Sequence, residues 1–106
     1  MSLLSMFQKI DINEGINRYQ NTNNAFLVDV RTKEEYKSGH IKGSLNIPLQ
    51  NIERITQYIK DLNTPIFIYC LSGSRSRQAQ TILKKMGYTN ITNIGGINRY
   101  HGQIER

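Results

Sequence analysis

The sequence predicts an α/β fold with a mainly parallel central sheet and helices on both faces. Three observations lead there. Strand-like and helix-like stretches alternate along all 106 residues with short connections. Two strand-like runs, 26–30 and 65–70, are apolar almost throughout, as strands are when helices cover both sides of a sheet. Two other stretches repeat apolar residues every three or four positions, the spacing of a helix with one buried stripe.

Taken in order, residues 7–12 alternate well enough for a short first strand. Asn13 is suited to cap a helix over 14–20 that turns Ile16 and Tyr19 inward. Residues 21–24, Asn-Thr-Asn-Asn, are a loop by composition. The run 26–30 is then a buried strand interrupted only by Asp29. Thr32 and Glu35 have capping-box spacing for a brief helix through Lys37, ended by Ser38-Gly39. A strand over 44–47 stops at Pro48. Leu49, Ile52, Ile55, Ile59 and Leu62 mark an amphipathic helix over 49–62. Residues 63–65 turn the chain into the strand that ends at Cys70. The next helix, 75–85, buries Ala79, Ile82, Leu83 and Met86, with Gly87 as its C′ residue. A strand over 88–94, a turn at Gly95-Gly96 and a short helix over 97–101 complete the chain.

Length fits one domain with a modest core. Apolar residues make up 38% and charged residues 21%, the balance of a soluble globular protein. No apolar run reaches the roughly 18–20 residues that cross a bilayer. The first seven residues lack a basic n-region, a full apolar core and a small-residue cleavage site, so cytoplasmic retention is expected. One cysteine excludes an internal disulfide and cannot by itself build a cysteine zinc site. His40 and His101 are the only histidines and show no metal-ligand spacing, so neither metal nor cofactor is expected. Fourteen Lys and Arg stand against eight Asp and Glu, a charge of +6. That excess steers small anions toward the protein. The basic residues are scattered, without interleaved aromatics, so neither nucleic acid nor membrane is an expected partner.

The chemistry concentrates at Cys70. An apolar strand delivers it to a Gly/Ser loop, and a helix opens at once. Unpaired N–H groups of a tight loop and a helix start converge on whatever lies at the loop's centre. A sulfur held there feels a positive field, which lowers its pKa and supplies thiolate near neutral pH. Cys70 is therefore read as a nucleophile at the carboxyl end of a strand, where open α/β sheets place their sites.

Three stretches together resemble the rhodanese (sulfurtransferase) family. The first is Leu27-Val28-Asp29-Val30-Arg31, followed by Glu35-Tyr36 and by Gly39-His40-Ile41-Lys42-Gly43-Ser44-Leu45-Asn46-Ile47-Pro48. It is similar to the family's "DVR…EY…GHI.GA.NIP", with Ser44 in place of the commoner alanine. The second, Cys70 to Ser76, resembles the active-site loop "C..G.R[ST]". The third is Ile94-Gly95-Gly96-Ile97, similar to "L.GG", with Tyr100 near where tryptophan is usual. The resemblance covers about residues 10–102 and implies a single rhodanese domain over 1–106.

That resemblance implies sulfur transfer through a persulfide on Cys70, from thiosulfate or another persulfide donor. The acceptor would be cyanide in vitro and a thiol or sulfur-carrier protein in the cell. The loop Leu71, Ser72, Gly73, Ser74, Arg75 and Ser76 would hold the persulfide. Within it, amides stabilise charge, Gly73 permits the curl, and Arg75 attracts the donor or offsets its charge. Asp29 and Arg31 are read as fixing loops, with Arg31–Glu35 a candidate pair, and His40 as satisfying backbone groups in its turn. No Cys-His-Asp triad is drawn, because a thiolate needs no general base. A monomer or weak dimer is expected. One alternative is a non-catalytic binding module of the same fold. The other is a phosphatase or arsenate reductase, which needs five residues between cysteine and arginine, where this chain has four.

Overall fold

The computed structural model describes residues 10–106. The chain runs through α1 (Ile12–Gln20), β1 (Phe26–Asp29), α2 (Lys33–Ser38), β2 (His40–Ile41) and β3 (Ser44–Asn46). A 3-10 segment, Leu49–Gln57, leads to β4 (Ile66–Cys70), α3 (Ser74–Lys85) and β5 (Ile91–Gly96). A 3-10 turn, Ile97–Arg99, and β6 (Ile104–Glu105) close it.

Strands β3, β1, β4 and β5 lie side by side in that order, all parallel. The α/β class and the parallel sheet expected from the sequence are thus observed. Strand side chains alternate between faces. Val28, Ile66 and Ile68 meet the apolar side of the 3-10 segment and α3, including Ile52, Ile55 and Leu83. Leu27, Phe67 and Tyr69 meet α1 through Ile12 and Ile16. All five residues of β4 are buried, which follows from its central position between two covered faces. Cys70 shares the face of Ile66 and Ile68, so it points toward α3.

Several boundaries differ from the expectation. Helix α1 starts at Ile12, within the stretch expected to be strand; residues 7–9 of that stretch lie outside the described residues. Its N-cap is Asp11 rather than Asn13, because the Asp11 carboxylate accepts the Asn13 N–H. Asn13 instead ties the chain's end to α1, donating to Arg99 O at 3.0 Å and accepting from His101 N at 2.9 Å. The helix expected over 49–62 is a 3-10 segment broken at Asn51 (φ −117°, ψ 22°) that stops at Gln57. A spacing of three brings Ile52 and Ile55 to one face in either helix type, so the burial was legible and the winding was not. Leu62, expected in the same stripe, is exposed.

The capping box of α2 is present, and its helix extends to Ser38. Helix α3 begins at Ser74, one residue earlier than expected, and ends in a Schellman arrangement. There Gly87 N–H donates to Lys84 O and Tyr88 N–H to Leu83 O. Tyr88 therefore belongs to the helix end, and β5 starts only at Ile91. Gly95 and Gly96 do not form a turn; they finish β5, where an irregularity pairs Tyr69 with Gly95. The pair β2–β6, an antiparallel ribbon, was not foreseen. The short helix expected over 97–101 is the 3-10 turn, which ends at Arg99.

Candidate active site

Strand β4 carries Cys70 to the carboxyl edge of the sheet. The chain then curls through Leu71, Ser72 and Gly73 into α3. The curl depends on Gly73, the N-cap, whose φ of +106° lies in the left-handed region. This conformation turns the Gly73 N–H back onto the sulfur, which it meets at 3.0 Å. Ser76, fully buried in the first turn of α3, places its hydroxyl 3.4 Å from the same sulfur. Burial alone would raise the thiol's pKa. It is outweighed by the Ser76 hydroxyl and by the amides of Ser76, Gly73 and Ser72, so Cys70 titrates below its ordinary value.

The cysteine is more enclosed than a nucleophile on an open rim. It is 1% exposed, and it borders the apolar cluster on the α3 face. Leu71, Ser72 and Ser74 form the exposed edge of the loop. The loop's other side is anchored: Leu71 O accepts the Asn98 N–H at 3.1 Å. A cleft of about 650 Å³ runs along the outer wall of the loop, past Ser72, Gly73, Ser74, Arg77 and Asn93.

Asn93, in the middle of β5, is a participant that sequence reasoning missed. Its side-chain oxygen accepts from Ser76 Oγ at 2.8 Å and from Gly95 N at 3.0 Å. The Ser76 hydroxyl has one proton but three acceptors within reach, Asn93 Oδ1, Gly73 O at 3.1 Å and the sulfur. A charged acceptor binds a hydroxyl more strongly than a neutral one, so ionisation of Cys70 draws that proton toward sulfur. An amide side chain in an otherwise strand-like run was the available signal, since asparagine is disfavoured there.

Arg75 does not point into an empty bowl. It forms a two-pronged ion pair with Glu35, Nη1 to Oε1 at 2.7 Å and Nη2 to Oε2 at 3.0 Å. The Arg75 hydrogen bonds, with the Thr32 N–H behind them, hold the Glu35 carboxyl down at about 2 despite partial burial. The expected Arg31–Glu35 pair is therefore not formed. Arg31 turns instead to Asp29, donating through Nε (3.1 Å) and Nη2 (2.7 Å), while its backbone N–H also donates to Asp29 at 2.8 Å. The second bond of Arg31 Nη2, to Gly39 O at 2.7 Å, pins the end of α2. Asp29 and Arg31 are both buried and satisfy each other.

His40 is held by Tyr36 and faces Glu105, its Nε2 3.9 Å from Oε2. Its ring stacks on Tyr36, with centroids 3.7 Å apart, and its Nδ1 lies 2.8 Å from Tyr36 O. Ser44 serves the buried Tyr69, accepting its hydroxyl at 3.0 Å, while Tyr69 accepts the Ile41 N–H. Cys70, Leu71, Ser72, Gly73, Ser74, Arg75 and Ser76 thus come together with Glu35 and Asn93, while Asp29, Arg31 and His40 stand behind them. Among the described residues no group of His, Cys, Asp and Glu is placed to hold a metal ion, and no helix is long and apolar enough to cross a membrane.

A four-stranded parallel sheet with a cysteine at the tip of a central strand, its sulfur met by the Gly73 N–H, defines the class of α/β protein to which the comparisons lead. The chain belongs to the rhodanese-like domain family, whose model matches residues 12–103. It is 44% identical over 71 residues to the thiosulfate sulfurtransferase PspE of Escherichia coli K12, covering 66% of this chain and 68% of that protein. It is 37% identical over 81 residues to the adenylyltransferase and sulfurtransferase uba4 of Ogataea parapolymorpha, covering 76% of this chain and 21% of that protein. Among solved structures, a "rhodanese with anions from E. coli" superposes with a TM-score of 0.73 at 37% identity, covering 77% of this chain and 98% of the other.

Proposed function

We propose that the protein is a rhodanese-type sulfurtransferase in which Cys70 carries the transferred sulfur. The observation that carries this reading is the Gly73 amide directed at the Cys70 sulfur from 3.0 Å, in a site that lowers the thiol's pKa. The naming of PspE as a thiosulfate sulfurtransferase supports it.

In the first half-reaction the Cys70 thiolate attacks the sulfane sulfur of thiosulfate. A new S–S bond forms, the donor's S–S bond breaks, and the electron pair leaves with sulfite. The enzyme is left as Cys70–S–S⁻, with charge conserved. The loop amides stabilise that anion without reorganising, and the Ser76 hydroxyl turns its proton toward the sulfur. In the second half-reaction a nucleophile attacks the outer sulfur and Cys70 leaves as thiolate. With cyanide the product is thiocyanate; with a small thiol or a protein thiol it is a new persulfide. Two half-reactions through a covalent intermediate give ping-pong kinetics. A single unpaired cysteine suits a reducing compartment such as the cytoplasm.

The test is thiosulfate:cyanide transfer by the wild type and by Cys70→Ser and Cys70→Ala. The wild type forms thiocyanate and both variants form none while keeping their fold by circular dichroism. Substantial activity in either variant contradicts the proposal.

A further inference from the structure

Of the arginines near the site, Arg31 and Arg75 are both held by carboxylates, while Arg77 lines the cleft outside the loop. The Arg31 pair is buried and structural. The Arg75–Glu35 pair is different, because both side chains remain about a third exposed, at 31% and 30%. Arg75 sits in the first turn of α3, directly after the loop, close enough for its charge to be felt by Cys70. Glu35 is also fixed from behind. Its carboxylate accepts the Thr32 N–H at 3.0 Å, and its own N–H donates to Thr32 Oγ1 at 3.1 Å. The carboxylate is thus held in place by α2 whether or not an anion competes for Arg75.

We propose that Glu35 is a specificity-determining residue that acts through Arg75. It withholds that cation from dianionic sulfur donors and so inclines the site toward donors of lower charge, of the organic persulfide class. This deepens the sulfurtransferase reading above and rests on it.

The electrostatic argument is direct. With Glu35 in place the pair is neutral, and a thiosulfate dianion entering the loop gains the attraction of the amides and of Arg77 on the cleft wall, but little from Arg75. To engage the guanidinium it must compete with a carboxylate that already takes one N–H from each terminal nitrogen and cancels the charge. A donor with less charge loses less by being denied that contact. Removing the Glu35 charge leaves Arg75 as an uncompensated cation beside the sulfur and favours the more highly charged donor.

Glu35→Gln isolates the charge, because glutamine at the same helix position also accepts the N-cap N–H and preserves the capping box. Kinetics compare thiosulfate, a dianion, with methanethiosulfonate, a monoanion that offers the same kind of sulfane sulfur. In Glu35→Gln the ratio of kcat/KM for thiosulfate to that for methanethiosulfonate rises by about threefold to tenfold, through KM, the scale of one screened charge. A second readout needs no sulfur transfer: alkylation of Cys70 by anionic iodoacetate relative to neutral iodoacetamide. That ratio rises by a similar factor, and both rises disappear in Glu35→Gln/Arg75→Gln. An alkylation ratio that stays at the wild-type value in Glu35→Gln, with thermal stability retained, overturns the proposal. So does an unchanged donor ratio in an active enzyme. A raised alkylation ratio in a protein that moves no sulfur supports the role of Glu35 in shielding Arg75 and defeats only the sulfurtransferase reading.

Discussion

Gly96 lies directly beneath Leu71, so close that a single methyl group on Gly96 would overlap the Leu71 carbonyl oxygen and sit 2.6 Å from Ser72 Cα. The end of β5 is therefore the floor on which the loop after Cys70 rests. The same loop is tied down by the Asn98 N–H on Leu71 O. Gly96→Ala is expected to push the loop off Cys70. Sulfurtransfer should fall by about tenfold or more, with about 1–3 kcal/mol lost in chemical denaturation, the range for overpacking a filled site. Wild-type kinetics in this variant would show that the floor does not position the loop.

The hydroxyl of Ser76 is divided between sulfur and Asn93, and the two substitutions should move the thiol in opposite directions. Cys70 titrates below its ordinary value, so more of it is thiolate at a given pH than in an unperturbed cysteine. Ser76→Ala removes the largest of the contributions that lower the pKa, so the midpoint of iodoacetamide alkylation against pH moves up. Asn93→Ala removes the 2.8 Å partner and leaves the hydroxyl to the sulfur and Gly73 O, so the sulfur's share rises and the midpoint moves down. Equal shifts of the same sign would contradict this division.

Asp29 and Arg31 are a buried pair with almost no access to water, 0% and 4% exposed. Asp29→Asn leaves the Arg31 guanidinium charged and uncompensated in the interior, at an expected cost of about 3–5 kcal/mol. Urea unfolding measures it. The loss should appear as a lower midpoint with little change in slope, since the surface exposed on unfolding is nearly the same. A loss below about 1 kcal/mol would mean that the pair does not hold the end of α2 in place.

What could be read from the sequence was what neighbours in the chain decide. The apolar strand before the cysteine, the Gly/Ser loop after it and the helix that follows were legible, because a strand, a curl and a helix start are local events. The Thr32–Glu35 capping box was legible for the same reason. The ion pair of Glu35 with Arg75 was not, since the partners are 40 positions apart and meet only once α2 is docked beside α3. Arg31 lies nearer to Glu35 in sequence and was the expected partner, but Asp29, two residues before it, takes its guanidinium first. Asn93 escaped notice because its role comes from lying across β5 from the first turn of α3. The ribbon of β2 and β6 has two residues in each strand, too few for any alternation to be seen.

The central claim is that Cys70 can hold one additional sulfur under its loop, and intact-mass spectrometry tests it directly. Wild-type protein incubated with thiosulfate and freed of excess donor should gain the mass of one sulfur atom. A reductant should remove that mass, and Cys70→Ser should never acquire it. Folded wild-type protein that shows no adduct, or an adduct that persists in Cys70→Ser, would contradict the account.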